Sequence, residues 1–180
     1  MKNFKLLITS VILLSSCITE MPQAAKESIV KSVDANQYLG IWYEIARLDH
    51  SFEKGLEQVT ANYRLQKDDS IKVINRGYNI EKKEWKEAEG VAKFVDAANA
   101  DGSRTGRLKV SFFGPFYGPY NIIELDKSYY NYAMISGGKD YLWILSRTPQ
   151  LSYPIKQALI TRAKLLGYAT DNLIMVKQAN

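Results

Sequence analysis

Apolar and polar residues alternate with a period of two through most of the chain beyond residue 40. Val59–Leu65 and Leu108–Phe112 show the pattern best, because nearly every second side chain in them is apolar or small. Successive side chains of a β-strand point to opposite faces, so this alternation predicts strands with one buried face. Turn-forming runs such as Lys67–Ser70 and Glu81–Glu84 separate these segments. The pattern therefore predicts an all-β domain of eight antiparallel strands, closed as an up-and-down barrel.

The predicted strands are Gly40–Arg47, Val59–Leu65, Ile71–Tyr78, Trp85–Val95, Leu108–Phe112, Tyr120–Leu125, Tyr130–Ile135 and Tyr141–Leu145.

The period changes to that of a helix near the C-terminus. Ser152 is a suitable N-cap, Pro154 suits the first turn, and Gly167 suits the C-terminal end. The apolar residues that share one face of this helix are Ile155, Ala158, Leu159, Ala163 and Leu166. We expect that face to pack against the outside of the barrel, because an amphipathic helix must bury its apolar stripe. A short final strand is predicted at Leu173–Val176.

The strand registers predict which side chains face the interior of the barrel. The inward set is Val59, Ala61, Tyr63, Leu65, Ile71, Val73, Asn75, Val110, Phe112 and Trp143. Most of this set is apolar or aromatic, as in small-molecule sites. An eight-stranded barrel holds either one small ligand or a packed core, and both interpretations stay open at this point.

Two further features bear on the interior. Glu44 shares the inward face with Trp42, and a buried carboxylate needs a partner, either a tyrosine hydroxyl near the floor or a ligand head group. Gly114–Tyr120 combines glycines and prolines with three aromatic residues, which predicts a loop at the cavity mouth. That loop would be either a mobile lip that admits a lipid or enters a membrane interface, or a rigid turn whose rings pack on the barrel.

The N-terminus has the pattern of a targeting segment. Lys2 and Lys5 precede the apolar run Leu6–Leu14, which is far shorter than the roughly 20 residues that span a bilayer. Leu14–Ser15–Ser16–Cys17 resembles the lipobox of bacterial lipoproteins, and an ordinary signal peptide followed by an incidental cysteine is the alternative. The resemblance implies cleavage before Cys17, acylation of its sulfur and amine, and a firm anchor. Ile18, where an aspartate would retain such proteins in the inner membrane, implies the outer membrane, facing the periplasm.

The domain boundaries follow from these features. We expect residues 1–16 to be a signal peptide, residues 17–33 a lipid-anchored tether, and residues 34–180 the barrel domain.

Composition argues against several classes of function. The formal net charge of +5 falls to +3 without Lys2 and Lys5, and no more than two basic residues are adjacent, so we expect no nucleic-acid binding. The chain has one histidine, His50, which is expected at the surface, and no Ser-His-Asp set forms around it. With one cysteine and one histidine, the chain lacks the usual ligands of a metal site and cannot form an internal disulfide. The sequence therefore predicts a protein that is not an enzyme and that uses no metal or cofactor.

Three separated motifs resemble those of the lipocalin family. Gly40-x-Trp42 opens the first strand, Asp126-x-x-Tyr129 lies in the turn between the sixth and seventh strands, and Arg147 follows the eighth. The runs YLGxWYEIAR, KVSFFGPFYGxYN and DYLWILSRTP are similar to those of bacterial lipocalins in the apolipoprotein-D-like group. The resemblance extends from about residue 33 to residue 177.

The resemblance implies roles for individual residues. Arg147 would cover the Trp42 indole at the closed end, with Gly40 beside it, as a structural seal. Tyr63, Asn75, Phe112 and Trp143 would line a cavity for fatty acids, lysophospholipids or similar acyl lipids. The protein would then store or transport acyl lipids at the bacterial envelope, with a homodimer possible. The alternative is a structural envelope lipoprotein with a filled barrel that acts through protein partners.

Overall fold

Eight antiparallel strands close into a barrel in the computed structural model, which describes residues 20–179. The strands are β1 (Gly40–Leu48), β2 (Leu56–Leu65), β3 (Ile71–Asn79), β4 (Glu84–Phe94), β5 (Arg107–Phe113), β6 (Phe116–Leu125), β7 (Tyr132–Gly138) and β8 (Tyr141–Ser146), followed outside the closure by β9 (Leu173–Met175). Each strand pairs with the next, and β1 joins both β2 and β8. The predicted up-and-down topology is confirmed.

β1 changes partners along its length. Its first half pairs with β2, from Gly40 opposite Tyr63, whereas Ala46 to Leu48 pair with β9. The amide of Gln178 then donates to the backbone oxygens of Glu44 and Val59, at 2.7 and 2.9 Å. The C-terminal segment thus bridges β1 and β2 where they no longer pair directly with each other.

Two of the described helices are short and one is longer. They are α1 (Gln23–Glu27), α2 (Ala35–Tyr38) and α3 (Tyr153–Leu165), with a 3₁₀ turn at Thr170–Asn172. The Asp34 carboxylate accepts from the backbone N–H of Asn36 at 2.9 Å and caps α2. None of the helices among residues 20–179 has the length and apolar character needed to cross a membrane.

Apolar side chains form two layers separated by the barrel wall. One layer fills the barrel around Trp42, Tyr63 and Ile135. The other lies between the outside of the barrel and the helices α1 and α3. Leu159, Ala163 and Leu166 supply the α3 side of that outer layer, but Ile155 and Ala158 are exposed, which corrects the predicted helix face. The buried side chains of α3 begin only at Leu159, so the start of the helix does not pack against the barrel.

The predicted tether, residues 17–33, is folded over the part that the structure describes. Ala25 and Val33 are fully buried, and the Val30 N–H donates to the Ile122 oxygen at 2.9 Å. Sequence periodicity could not show this, because the segment passes from a short helix into extended chain. The folded body therefore begins before residue 34. The predicted signal peptide and the lipid-attachment residue Cys17 lie outside the described residues.

Several strand boundaries differ from the prediction, and the starts of β6 and β7 change the loops before them. β6 begins at Phe116, so the predicted loop Gly114–Tyr120 is reduced to a tight turn at Gly114 and Pro115. The glycine and proline signals are overridden because the first half of β6 pairs with β5, from Phe116 opposite Phe113 to Tyr120 opposite Leu108. β7 begins at Tyr132 rather than Tyr130, because Tyr130 has a positive φ of 54°.

Candidate functional site

The end of the barrel where β1 begins is closed by Trp42. Its indole is fully buried, and its Nε1 donates to the backbone oxygen of Tyr38 at 2.9 Å. The guanidinium carbon of Arg147 lies 3.9 Å from the centre of the Trp42 ring system. Arg147 also donates to the backbone oxygens of Ile41, Gln37 and Tyr130. The cation–π contact implied by the resemblance is therefore present, and it ties β1, α2 and the β6–β7 turn together.

Gly40 is required by the backbone at this seal. Its φ of +95° is a conformation that residues with a Cβ rarely adopt, and a Cβ there would lie 3.5 Å from Arg147 Nη1. A glycine at residue 40 thus lets the chain turn from α2 into β1 directly beside the guanidinium.

The β6–β7 turn supports the floor through a residue that the sequence motif did not single out. The Asp126 carboxylate accepts from the backbone N–H groups of Ser128 and Asn131, each at 3.2 Å. Tyr130 is buried and its hydroxyl accepts from the Asp34 N–H at 2.9 Å, whereas Tyr129 is exposed. The structural tyrosine of this turn is therefore Tyr130.

Three tyrosine hydroxyls meet above the floor. Tyr120 contacts Tyr38 at 2.7 Å and Tyr63 at 2.9 Å, oxygen to oxygen. Burial raises the pKa of all three phenols, so they stay neutral and act as hydrogen-bond donors. Two contacts use two of the three hydroxyl protons, which leaves one O–H, among the described residues, able to donate to a ligand oxygen.

The interior above the floor contains a narrow cavity of about 90 Å³. Its wall is mainly apolar and aromatic, and its members are Tyr38, Glu44, Glu53, Val59, Thr60, Ala61, Tyr63, Ile71, Val73, Asn75, Ala92, Val110, Phe112, Tyr120, Ile135, Trp143 and Leu145. The four predicted ligand-binding residues, Tyr63, Asn75, Phe112 and Trp143, all lie on this wall. Leu65 was predicted inward but is 49% exposed, because it is the last residue of β2.

Asn75 has an unusual position on that wall. Its side-chain oxygen is buried without a hydrogen-bond partner among residues 20–179. Buried polar atoms are nearly always paired, so an unpaired one that lines a cavity is a candidate ligand contact.

Glu44 pairs with Arg47 at the opposite end of the cavity, the mouth. Glu44 Oε1 lies 2.8 Å from Arg47 Nη1, and both side chains are almost completely buried. Burial and the neighbouring Glu53 charge raise the pKa of Glu44, whereas Arg47 opposes that change. The sequence suggested a tyrosine hydroxyl or a ligand head group as the partner of Glu44. The partner in the structure is Arg47 instead. A β-bulge between Glu44 and Ala46 breaks the alternation and turns Arg47 to the side of Glu44.

The β1–β2 loop folds over the mouth and is held there by three contacts. Arg47 Nη2 donates to the backbone oxygens of Glu53 and Leu56, at 2.8 and 3.2 Å. Trp143 Nε1 donates to Glu53 Oε2 at 3.0 Å. Burial acts to raise the pKa of Glu53, but contacts with His50 and Trp143 outweigh it, so that this pKa is lowered. Glu53 is therefore ionised at neutral pH.

His50 belongs to this mouth cluster, which corrects its predicted surface position. Its side chain is only 4% exposed, and Nε2 lies 3.1 Å from Glu53 Oε2. That distance suits an ion pair, although the angle misses hydrogen-bond geometry. The ring packs 5.2 Å from Trp143 and 5.5 Å from Tyr141. The histidine was misplaced because the sequence of a polar loop does not reveal that the loop folds back on the barrel.

The cavity offers few polar groups. Among the described residues, no three His, Cys, Asp or Glu side chains are grouped to hold a metal ion. The charged residues that line the cavity are Glu44 and Glu53, each already in contact with a partner. What the site offers is an apolar wall, one tyrosine donor and one asparagine acceptor.

A family model described as a lipocalin-like domain matches residues 33–178. The match covers the whole barrel and α3.

Curated proteins similar to this chain include two bacterial lipoproteins. The chain is 53% identical to outer membrane lipoprotein Blc of Vibrio cholerae over 173 residues, 96% of each chain. It is 45% identical to outer membrane lipoprotein Blc of Escherichia coli over 170 residues, covering 94% of this chain and 93% of that protein. Rat apolipoprotein D is 34% identical over 132 residues, 68% of this chain and 65% of that protein.

Solved structures show the same fold at low sequence identity. Apocrustacyanin C2 superposes with a TM-score of 0.68 at 17% identity, with 90% of each chain covered. Insecticyanin from the tobacco hornworm Manduca sexta superposes with a TM-score of 0.65 at 21% identity, covering 91% of this chain and 87% of that one.

Proposed function

Because the chain belongs to the lipocalin family, we propose that it is an outer-membrane lipoprotein that binds one acyl lipid in its barrel. Family membership indicates a binding protein rather than an enzyme. The observation that carries the proposal is the apolar cavity between the Trp42 floor and the β1–β2 loop. Burial of hydrocarbon contributes roughly 0.8 kcal/mol per CH₂, so a fatty acid or the chain of a lysophospholipid is the ligand that this wall favours.

The lipid anchor and its location rest on the N-terminus and on the relatives. Cys17 follows a lipobox-like run, and two relatives that match almost the whole chain are named outer membrane lipoproteins. We propose that Cys17 carries the acyl groups and that the barrel faces the periplasm, where it stores or transports acyl lipids.

The size of the cavity requires movement during binding. Sites for small molecules typically have volumes of roughly 300–1,000 Å³, and the cavity here measures about 90 Å³. A long chain therefore enters only if side chains at the mouth, with the β1–β2 loop, move aside. The contacts from Arg47 and Trp143 to Glu53 are the ones that must loosen.

Polar groups in the cavity would fix the ligand. The Asn75 oxygen can accept a hydrogen bond from a hydroxyl of the lipid, whereas the spare tyrosine O–H lies near the floor, at the end of the cavity away from the mouth. The Glu53 carboxylate repels an anionic head group at its own level, so that such a head group would lie beyond the mouth.

Filling the cavity tests the proposal. Ala92→Phe places a ring in the cavity and should weaken binding of a fluorescent fatty acid about tenfold or more, because about two CH₂ groups are displaced at roughly 0.8 kcal/mol each. Ala158→Phe, on the exposed part of α3, is the matched control. Binding is measured by fluorescence titration, after circular dichroism has shown that both variants are folded. Equal affinity in the two variants would place the ligand outside the barrel.

The narrowness of the cavity favours one second candidate, a structural lipoprotein with a filled barrel that acts through protein partners. A binding experiment distinguishes this candidate from a lipid-binding protein. A structural lipoprotein binds no fatty acid or lysophospholipid at any concentration below that at which these lipids form micelles.

A further inference from the structure

A shallow groove lies on the outer face of β5 and β6, beside α1. Its volume is about 590 Å³, and its lining includes Met21, Lys26, Lys31, Arg107, Lys109 and Tyr117. The groove is separate from the barrel cavity, and the proposed lipid-binding function does not use it.

The groove is positively charged. Four basic residues line it, and no Asp or Glu does so within the described part of the chain. Lys26 pairs with Glu20 and Arg107 with Asp96, but Lys31 and Lys109 have no carboxylate within ion-pair distance among residues 20–179. Lys109 instead lies 5.1 Å above the Tyr117 ring. The four basic residues come from two separate stretches of the chain and are not adjacent within either, which is why the sequence shows no charge cluster.

Exposed aromatic residues extend the same hairpin toward the cavity mouth. Phe113 and Phe116, at the ends of β5 and β6, are 78% and 79% exposed. Of the three aromatic residues in the predicted loop, Phe116 protrudes into solvent, whereas Tyr120 packs against the barrel interior. A surface that joins basic side chains to protruding aromatic rings suits a membrane interface, where cations meet anionic head groups and rings enter the acyl boundary.

The N-terminus brings this face close to the membrane. Met21 lines the groove, and four residue steps separate it from Cys17. A chain spans at most about 3.6 Å per residue, so the groove edge lies within about 14 Å of an acylated Cys17. The anchor therefore holds the barrel close to the bilayer, and the positively charged groove is a surface directly beside the anchor.

We propose that the β5–β6 face, defined by Lys26, Lys31, Arg107, Lys109, Phe113 and Phe116, docks on the anionic surface of the bilayer that holds the anchor. The inference rests on the proposed lipid anchor and adds an orientation to it. Docking sets the β5–β6 turn into the interface at the rim of the cavity, so that an acyl chain passes between bilayer and barrel without crossing water.

The test measures which part of the lipidated protein touches the bilayer. The mature lipoprotein is reconstituted in vesicles of phosphatidylethanolamine and phosphatidylglycerol, with an NBD dye on Phe116→Cys or, as a control, on Tyr129→Cys. Both positions are 79% exposed, and they lie at opposite ends of the barrel. Doxyl-labelled lipids should quench the dye at position 116 and leave the dye at position 129 bright.

Charge reversal supplies the second arm. Lys31→Glu with Lys109→Glu should lower the ratio of docked to undocked protein about thirtyfold or more, judged from the quenching. The pair Lys67→Glu and Lys127→Glu, on exposed turns at the closed end, should leave that ratio unchanged. Equal quenching at positions 116 and 129, or equal effects of the two pairs, would overturn the proposal.

The same preparations separate this inference from the lipid-binding function. Mass spectrometry reports both the acylation of Cys17 and any bound lipid. A protein that carries lipid in its barrel but shows no quenching at position 116 refutes the docking face alone. An acylated protein that docks but never binds lipid refutes the binding function alone, and a chain without acyl groups refutes the anchor on which docking rests.

Discussion

Arg47→Leu is expected to lower the free energy of unfolding by about 3–5 kcal/mol, because it leaves the Glu44 carboxyl buried without its partner. The Arg47–Glu44 contact of 2.8 Å joins two side chains that are almost inaccessible to water. Arg47 also holds the backbone oxygens of Glu53 and Leu56, so its loss frees the β1–β2 loop. Urea denaturation followed by circular dichroism measures the change.

The double variant Glu44→Leu with Arg47→Leu separates the two effects. Removal of both charges should recover much of the lost stability, since apolar replacements of a buried ion pair are often neutral or stabilising. The loop contacts stay lost, so recovery should be incomplete. A loss below about 1 kcal/mol for Arg47→Leu alone would show that the pair is not desolvated, since that is the range of exposed pairs.

Trp42→Ala is expected to cost about 3–5 kcal/mol, as do other truncations of large buried aromatic residues. The indole is fully buried, packs 5.1 Å from the Tyr38 ring and receives the Arg147 guanidinium on its face. Thermal and urea denaturation of the variant give the measurement. Trp85→Ala, at a half-exposed tryptophan on β4, is the matched control and should cost much less. Similar losses in the two variants would mean that the floor does not stabilise the barrel.

The barrel topology could be predicted from the sequence because its two strongest signals are local. Period-two alternation marked the eight strands, and turn residues marked most of their ends. The floor could be assigned because Gly40, Trp42 and Arg147 stand in motifs that resemble those of lipocalins, and the resemblance implied their roles. Nine of the ten residues predicted to face inward line the cavity.

The mouth of the cavity could not be predicted, because its residues come together only through tertiary contacts. A bulge in β1 reverses the facing of Arg47, and nothing in the alternation indicates where a bulge falls. His50 and Glu53 lie in a polar loop, and only its return to Trp143 makes them part of the cavity entrance. Tyr38 and Tyr120 reach Tyr63 from α2 and β6, which are distant in sequence. The basic groove likewise arises from residues that only folding brings together.

The proposed function requires that one acyl chain occupies the barrel. Native mass spectrometry of the delipidated protein, titrated with a lysophospholipid and with a fatty acid of the same chain length, tests it most directly. We expect a single bound lipid per protein that is lost in Ala92→Phe and kept in Ala158→Phe. A protein that stays bare with both lipids, or an Ala92→Phe variant that binds them as well as the unaltered chain, would contradict it.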